Sequence, residues 1–187
     1  MALSTLDPNT ALIVVDLQKG IISLPAIHPI ADVIGHTRAL ADAFRARGLP
    51  VVLVNVAGGA PGRTEQKPGQ TGRPDGWTDL IPELDQQPGD ILVTKRSWGA
   101  FATTGLEAQL KALDVTQVVI AGVATAIGVE STARQAYEQG FHVALAIDAM
   151  TDMRPEAHQY SIKNVFPRLG ETGTSQEIID RLPARST

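Results

Sequence analysis

The stretch "TQVVIAGVATAIGVESTARQAYEQGFHVALAIDAM", residues 116–150, decides the fold. It opens on an apolar run, 116–123, too rich in β-branched residues to favour a helix. It turns through the small residues of "GVATAIG", 122–128, and continues at helical spacing over 128–140. Gly140 closes that helix, and a second apolar run follows over 141–150. Strand, tight turn, helix and strand make a crossover unit of a parallel sheet. Runs apolar at every position, rather than at every second one, belong to strands covered on both faces.

The flanking sequence repeats the alternation. "TALIVVDLQ" (10–18), "PVVLVNV" (50–56) and "GDILVTK" (89–95) read as further strands. "PIADVIGHTRALADAFRARGL" (29–49) and "TGLEAQLKALDV" (104–115) read as helices, the second with Thr103 or Thr104 as its cap. "RPEAHQYSIKNVFPRLG" (154–170) predicts one more helix. "LGETGTSQEIIDRL" (169–182) predicts a short strand or turn and then a capped helix. Between them, "AGGAPGRTEQKPGQTGRPDG" (57–76) has no periodicity and reads as a long loop. The expectation is a single α/β domain over residues 1–187. Its three α/β/α layers surround a mostly parallel, Rossmann-like sheet of about six strands.

Composition narrows the function. The chain has 187 residues, of which 43% are hydrophobic and 19% charged, enough apolar content for one full core. A net charge of −4 argues against a nucleic-acid surface. The longest apolar runs are far too short to cross a bilayer, and the first ten residues lack a signal-peptide pattern, so a cytoplasmic protein is expected. The absence of Cys excludes disulfides, thiolate metal sites and thiol catalysis together. His28, His36, His142 and His158 have no metal-ligand spacing, and no cofactor or metal motif occurs.

Open parallel sheets bind ligands beyond the carboxyl ends of their strands. Asp16 follows the first strand, Lys95 ends the third, and "GVATAIG" follows the fourth. Taken singly, each has a structural explanation. Asp16 could cap a turn or pair with a base, Lys95 could end a strand in solvent, and small residues could simply allow tight strand-to-helix packing. Together they place an acid, a cation and the backbone N–H groups of a helix start on one edge.

These segments, "LIVVDLQKG", "VTKRSWGAF" and "VVIAGVATAIGVESTARQAYEQGFHVALAIDAMTD", resemble the isochorismatase-like hydrolase superfamily over about residues 10–175. The resemblance implies that Asp16 and Lys95 are two members of the Asp–Lys–Cys triad of its cysteine hydrolases. The nucleophile position then falls on Gly128. It implies a cis peptide at Val123–Ala124 and an oxyanion hole at Ala124 and Gly128. Substrate contacts are expected from Gln18, Trp98, Phe101, Thr125 and Arg63. Without a thiolate the covalent amidase route is closed. The enol-ether cleavage of isochorismatases needs only an acid and a cationic neighbour, which Asp16 and Lys95 supply. Members of that type carry a Tyr–Ala–His turn where this chain has Ala124–Thr125–Ala126. The 57–76 loop offers Arg63, Gln66, Lys67 and Arg73 for an anionic substrate.

Two functions follow as expectations. One is a hydrolase of a small, anionic molecule with Asp16 as acid or base, including Asp16 as base for water attack on an amide or ester. The other is a silent binding or assembly protein that keeps the fold. The resemblance also implies a homo-oligomer, dimer or tetramer, with Trp77 and Trp98 as interface anchors or pocket walls.

Overall fold

The computed structural model describes residues 3–65 and 72–184. Gln66 and Lys67 lie outside the described residues. In chain order the elements are β1 (Thr10–Val15), the single turn α1 (Lys19–Ile22), α2 (Ile30–Ala46), β2 (Val51–Val56), β3 (Ile91–Lys95) and α3 (Leu106–Ala112). Then come β4 (Gln117–Val123), α4 (Glu130–Glu138), β5 (His142–Thr151), α5 (Pro155–Tyr160), α6 (Phe166–Leu169), β6 (Glu171–Gly173) and α7 (Ser175–Arg181).

The strands form one sheet in the order β3-β2-β1-β4-β5-β6. Every pairing is parallel, so the sheet is wholly rather than mostly parallel. β1 and β4 are buried at every residue, as their unbroken apolar runs predict. Alternate side chains feed separate cores. Ile13, Val15 and Ile120 pack into one with Leu106, Ala133 and Phe166. Leu12, Val14 and Val119 pack into the other with Leu40, Phe44 and Ile178. The chain winds outward from β1 in one direction and from β4 in the other. Their carboxyl ends therefore flank a crevice that no crossover covers.

Several elements differ from the sequence expectation. The helix after β4 is preceded by a π-helical turn, Thr125–Val129, so α4 proper starts at Glu130. The helix expected over 154–170 is three pieces, with a π turn at Ser161–Val165 between α5 and α6. Pro167 lies just beyond it. A proline has no N–H to donate and crowds the preceding turn, and widening that turn accommodates it. Gly105 occupies the N-cap position of α3, while Thr104 Oγ1 accepts from Leu106 N–H at 3.3 Å. Thr174 caps α7 through a full capping box with Glu177.

The tightest constraint is at Gly122, beside Val15. Gly122 has φ of 117°, and a Cβ there would lie 2.0 Å from the Val15 carbonyl oxygen. Both the backbone conformation and the contact with β1 exclude a side chain. Gly122→Ala should therefore lose about 3 kcal/mol or more of stability. Chemical denaturation measures it, and a loss under about 1 kcal/mol would show that β1 and β4 can separate locally.

Candidate active site

A cavity of about 230 Å³ opens at the crevice between the carboxyl ends of β1 and β4. Asp16, Lys95, Ala124 and Gly128 line its floor, and Trp77, Trp98, Ile127 and Met153 stand around it. A larger groove of about 560 Å³ lies at the amino-terminal edge, lined by residues such as Ser4, Gln117 and His142. It faces away from the switch point and contains none of the strand-end residues.

Asp16 sits one residue past β1 in a left-handed conformation, φ 54°. Its N–H still donates to the Val54 carbonyl at 2.9 Å, and its own carbonyl accepts from Gln18 N–H. This turn aims the carboxylate across the top of the sheet. Lys95, at the end of β3, reaches over β2 to meet it. Lys95 Nζ donates to Asp16 Oδ2 at 2.8 Å and to the Ser97 carbonyl at 3.2 Å. The two ends thus meet within the reach expected of them. Lys95 is 1% and Asp16 5% exposed.

Burial and the lysine oppose one another at the carboxyl group. Desolvation is the larger effect and pushes Asp16 up to about 6, while attraction and hydrogen bonding from Lys95 hold it down. Asp16 Oδ1 is buried with no hydrogen-bond partner, which leaves the anion poorly satisfied. An acid poised this close to neutrality can give or take a proton within a turnover.

Position 128 faces this carboxylate. A Cβ built on Gly128 would lie 3.2 Å from Asp16 Oδ2, 3.2 Å from the Val123 carbonyl oxygen and 3.0 Å from Val15 Cγ1. The peptide Val123–Ala124 is cis. Thr132 then ties the turn to the segment after β3: its Oγ1 donates to the Gly128 carbonyl at 2.7 Å and accepts from Ala100 N–H at 3.1 Å. Gln135 Oε1 accepts from Phe101 and Ala102 N–H groups at 3.0 and 3.3 Å. Nothing local in the sequence marks Thr132 or Gln135 for these contacts. Their targets lie about thirty positions away.

Of the expected substrate contacts, Trp98 lines the cavity and is 66% exposed at its mouth. The others lie elsewhere. Gln18 is fully buried and bonds only backbone: Oε1 accepts from Val56 N–H at 2.7 Å, and Nε2 donates to the Val56 and Trp77 carbonyls. It acts as a short piece of sheet edge. Phe101 is in the core against Phe141, because its apolar ring finds a dry partner there. Thr125 points away from the cavity, with Oγ1 at 2.8 Å from His158 Nδ1. Arg63 is exposed and does not line the cavity. Arg73 does line it, and its guanidinium lies 4.1 Å over the Trp77 ring. Among the described residues, no three metal-ligating side chains converge.

The isochorismatase domain model matches residues 10–177. The chain belongs to the isochorismatase family. It is 38% identical to the isochorismatase family protein YwoC of Bacillus subtilis over 181 residues, covering 93% of this chain and 94% of that one. The structure of an isochorismatase family protein from Burkholderia thailandensis superposes with a TM-score of 0.91 at 39% identity, over 95% of this chain and 97% of that one. A more distant relative is the ureidoacrylate amidohydrolase RutB of Pseudomonas syringae, 30% identical over 84% of this chain and 77% of that one. The chain is an isochorismatase-family hydrolase with an all-parallel α/β sheet. No helix among the described residues is long and apolar enough to cross a membrane.

Proposed function

We propose that this hydrolase acts on a small anionic molecule without a covalent intermediate, with Asp16 as the proton-transferring group. The observation that carries this reading is the buried Asp16–Lys95 pair facing a residue with no side chain. Such a site holds an acid and a counter-charge, and the position opposite them has no side chain to form an ester or thioester. Amide hydrolysis through an acyl-enzyme, the route implied for the family's cysteine hydrolases, is closed to it.

Enol-ether cleavage fits these groups best. Protonated Asp16 would deliver its proton to the terminal vinyl carbon, leaving an oxocarbenium ion. Water would add to that cation and lose a proton, returning Asp16 to its acid form. The resulting hemiketal would collapse to pyruvate and an alcohol. Lys95 would stabilise the Asp16 carboxylate in the interval, and the oxygen that becomes the pyruvate carbonyl would lie toward Ala124 and Gly128. Trp77, Trp98 and Ile127 supply apolar walls, and Arg73 supplies a cation with no ion pair among the described residues. A carboxylate on the substrate is its natural partner.

The test is pyruvate release from isochorismate and simpler enolpyruvyl ethers carrying a carboxylate. Arg73→Met should raise KM by about 10- to 100-fold with little change in kcat, because a contact kept throughout the reaction binds ground and transition states alike. A fall in kcat at unchanged KM would place Arg73 on the reacting atoms instead. Saturable binding of these compounds with no turnover by the native protein would favour the second reading, a silent binding protein, which the bare position 128 also fits.

A further inference from the structure

The turn that carries Gly128 is held from behind by two buried ionisable side chains that do not line the cavity. Asp152 lies one residue past β5 and is 2% exposed. Its Oδ2 accepts from Ala126 N–H at 2.8 Å, and its Oδ1 accepts from Met153 and Arg154 N–H groups at 2.8 and 3.1 Å. Its carbonyl accepts from Ile27 N–H at 2.9 Å. One residue thus joins the π turn, the start of α5 and the segment before α2. Each of these bears a cavity residue: Ile127, Met153 and Leu24.

His158, on α5, is buried behind the same turn. Its Nδ1 lies 2.8 Å from the Oγ1 of fully buried Thr125. His28 meets its ring edge-on at a centroid distance of 4.8 Å, and His28 Nδ1 lies 3.1 Å from Thr151 Oγ1. Asp152 and His158 hold adjacent residues of the turn, one by its backbone and the other by its side chain. The π turn itself contributes no ionisable side chain.

We propose that Asp152 and His158 are positioning residues for the turn 124–128, and that Gly128's placement opposite Asp16 follows the charge of His158. Neutral imidazole can accept from or donate to Thr125 Oγ1; imidazolium can only donate, and it puts a charge into the buried site behind the turn. Burial and the neighbouring His28 keep His158 below the usual histidine range, and Asp152 pulls the other way. The neutral form therefore prevails around neutrality. Lys163, on the π turn that follows α5, is exposed. An imidazolium would stay buried beside His28, with Thr125 Oγ1 as the acceptor of its Nδ1–H. The consequence for turnover rests on the pocket being the hydrolytic site. The structural coupling does not.

The experiment is a pH titration of the isotopically labelled full chain by NMR, following the His158 ring, the Asp16 carboxyl carbon and the backbone amides of 125–128. In the native protein those amides should show a transition with the midpoint of the His158 ring. His158→Gln, which keeps a hydrogen-bonding group but cannot ionise, should lose that transition. The Asp16 transition near 6 should remain in the same variant. Should that variant fail to fold, Thr125→Val decides: His158 should still titrate while the amides no longer follow it. The proposal is overturned if the amides ignore His158's titration, if the coupled transition persists in either variant, or if His158 stays neutral down to pH 4. An Asp16 carbon with no transition near 6 would count against the proposed acid and leave this coupling standing.

Discussion

Asp16→Asn should abolish turnover, with a loss of about 10²–10⁴-fold or more, because a positioned acid or base contributes that much. The pH profile tells which role is lost. If Asp16 acts as the acid, kcat/KM falls as pH rises above about 6, where the carboxyl loses its proton. If it acts as a base, the rate falls on the other side. The same raised value has a consequence for stability. A carboxyl that binds its proton more tightly in the folded chain favours folding at low pH. That contribution is fully present below the ordinary carboxylate value of 3.8 and is lost as pH rises through about 6. The span corresponds to about 3 kcal/mol. Asn keeps an acceptor for Lys95 and does not titrate. Relative to the native protein, the variant should therefore gain about 3 kcal/mol between about pH 4 and pH 7. Glu171 and Glu177, both held below the usual carboxylate range by hydrogen bonds near Ser4 and Thr174, have the opposite trend. They are present in both proteins and cancel in the comparison. Denaturation midpoints of the pair across that range, beside kcat/KM, provide the measurement. Full activity in Asp16→Asn would make Asp16 a structural residue, and a flat stability difference would mean that its ionisation is not opposed by burial.

The fold was legible because its signals are local and repeated. Unbroken runs such as "ALIVVD" and "VVIAGV" identify doubly covered parallel strands, and the helices between them show their own period. Strand order followed from neither. It depends on which crossovers turn left or right of β1, and that is decided by long-range packing. Asp16 and Lys95 were legible because strand ends on one sheet edge converge whatever the loops do. Gln18, Phe101 and Thr125 were misplaced for a common reason. Nearness in sequence to a strand end does not fix which way a side chain points. Gln18 turns back to Val56 and Trp77, Phe101 into the core and Thr125 to His158. Asp152 follows β5, but the turn its carboxylate holds includes Ala126, in a different segment. The π turns were hidden because nothing in helical periodicity marks a single inserted residue.

Gly128→Cys should produce a folded protein whose single thiol reacts with iodoacetamide roughly tenfold faster than an unperturbed thiol at neutral pH. The backbone permits the change, since Gly128 is not among the glycines with positive φ. Space is tight but adjustable. Of the three nearest contacts to the new Cβ, at 3.0–3.2 Å, two are side chains, Val15 Cγ1 and Asp16 Oδ2, that can yield by a few tenths of an ångström. The third, the Val123 carbonyl oxygen, is backbone and sets the direction of relief, toward the cavity. Overpacking of this kind costs about 1–3 kcal/mol, partly offset by the better helix propensity of any residue over glycine. The new sulfur would stand beside a carboxylate that can accept its proton and a lysine that can stabilise the thiolate. An unperturbed thiol is only a few per cent ionised at neutrality, so a shift of about one unit raises the reactive fraction nearly tenfold. Lys95→Met in the same background should return the rate to that of an ordinary thiol. The measurement is the second-order alkylation rate against pH, with mass spectrometry confirming one modified residue. A thiol no faster than an ordinary one, in a folded variant, would mean that position 128 is not electrically coupled to the Asp16–Lys95 pair. A fast thiol that loses its advantage with Lys95 would show that the pair acts on whatever occupies the space opposite Gly128.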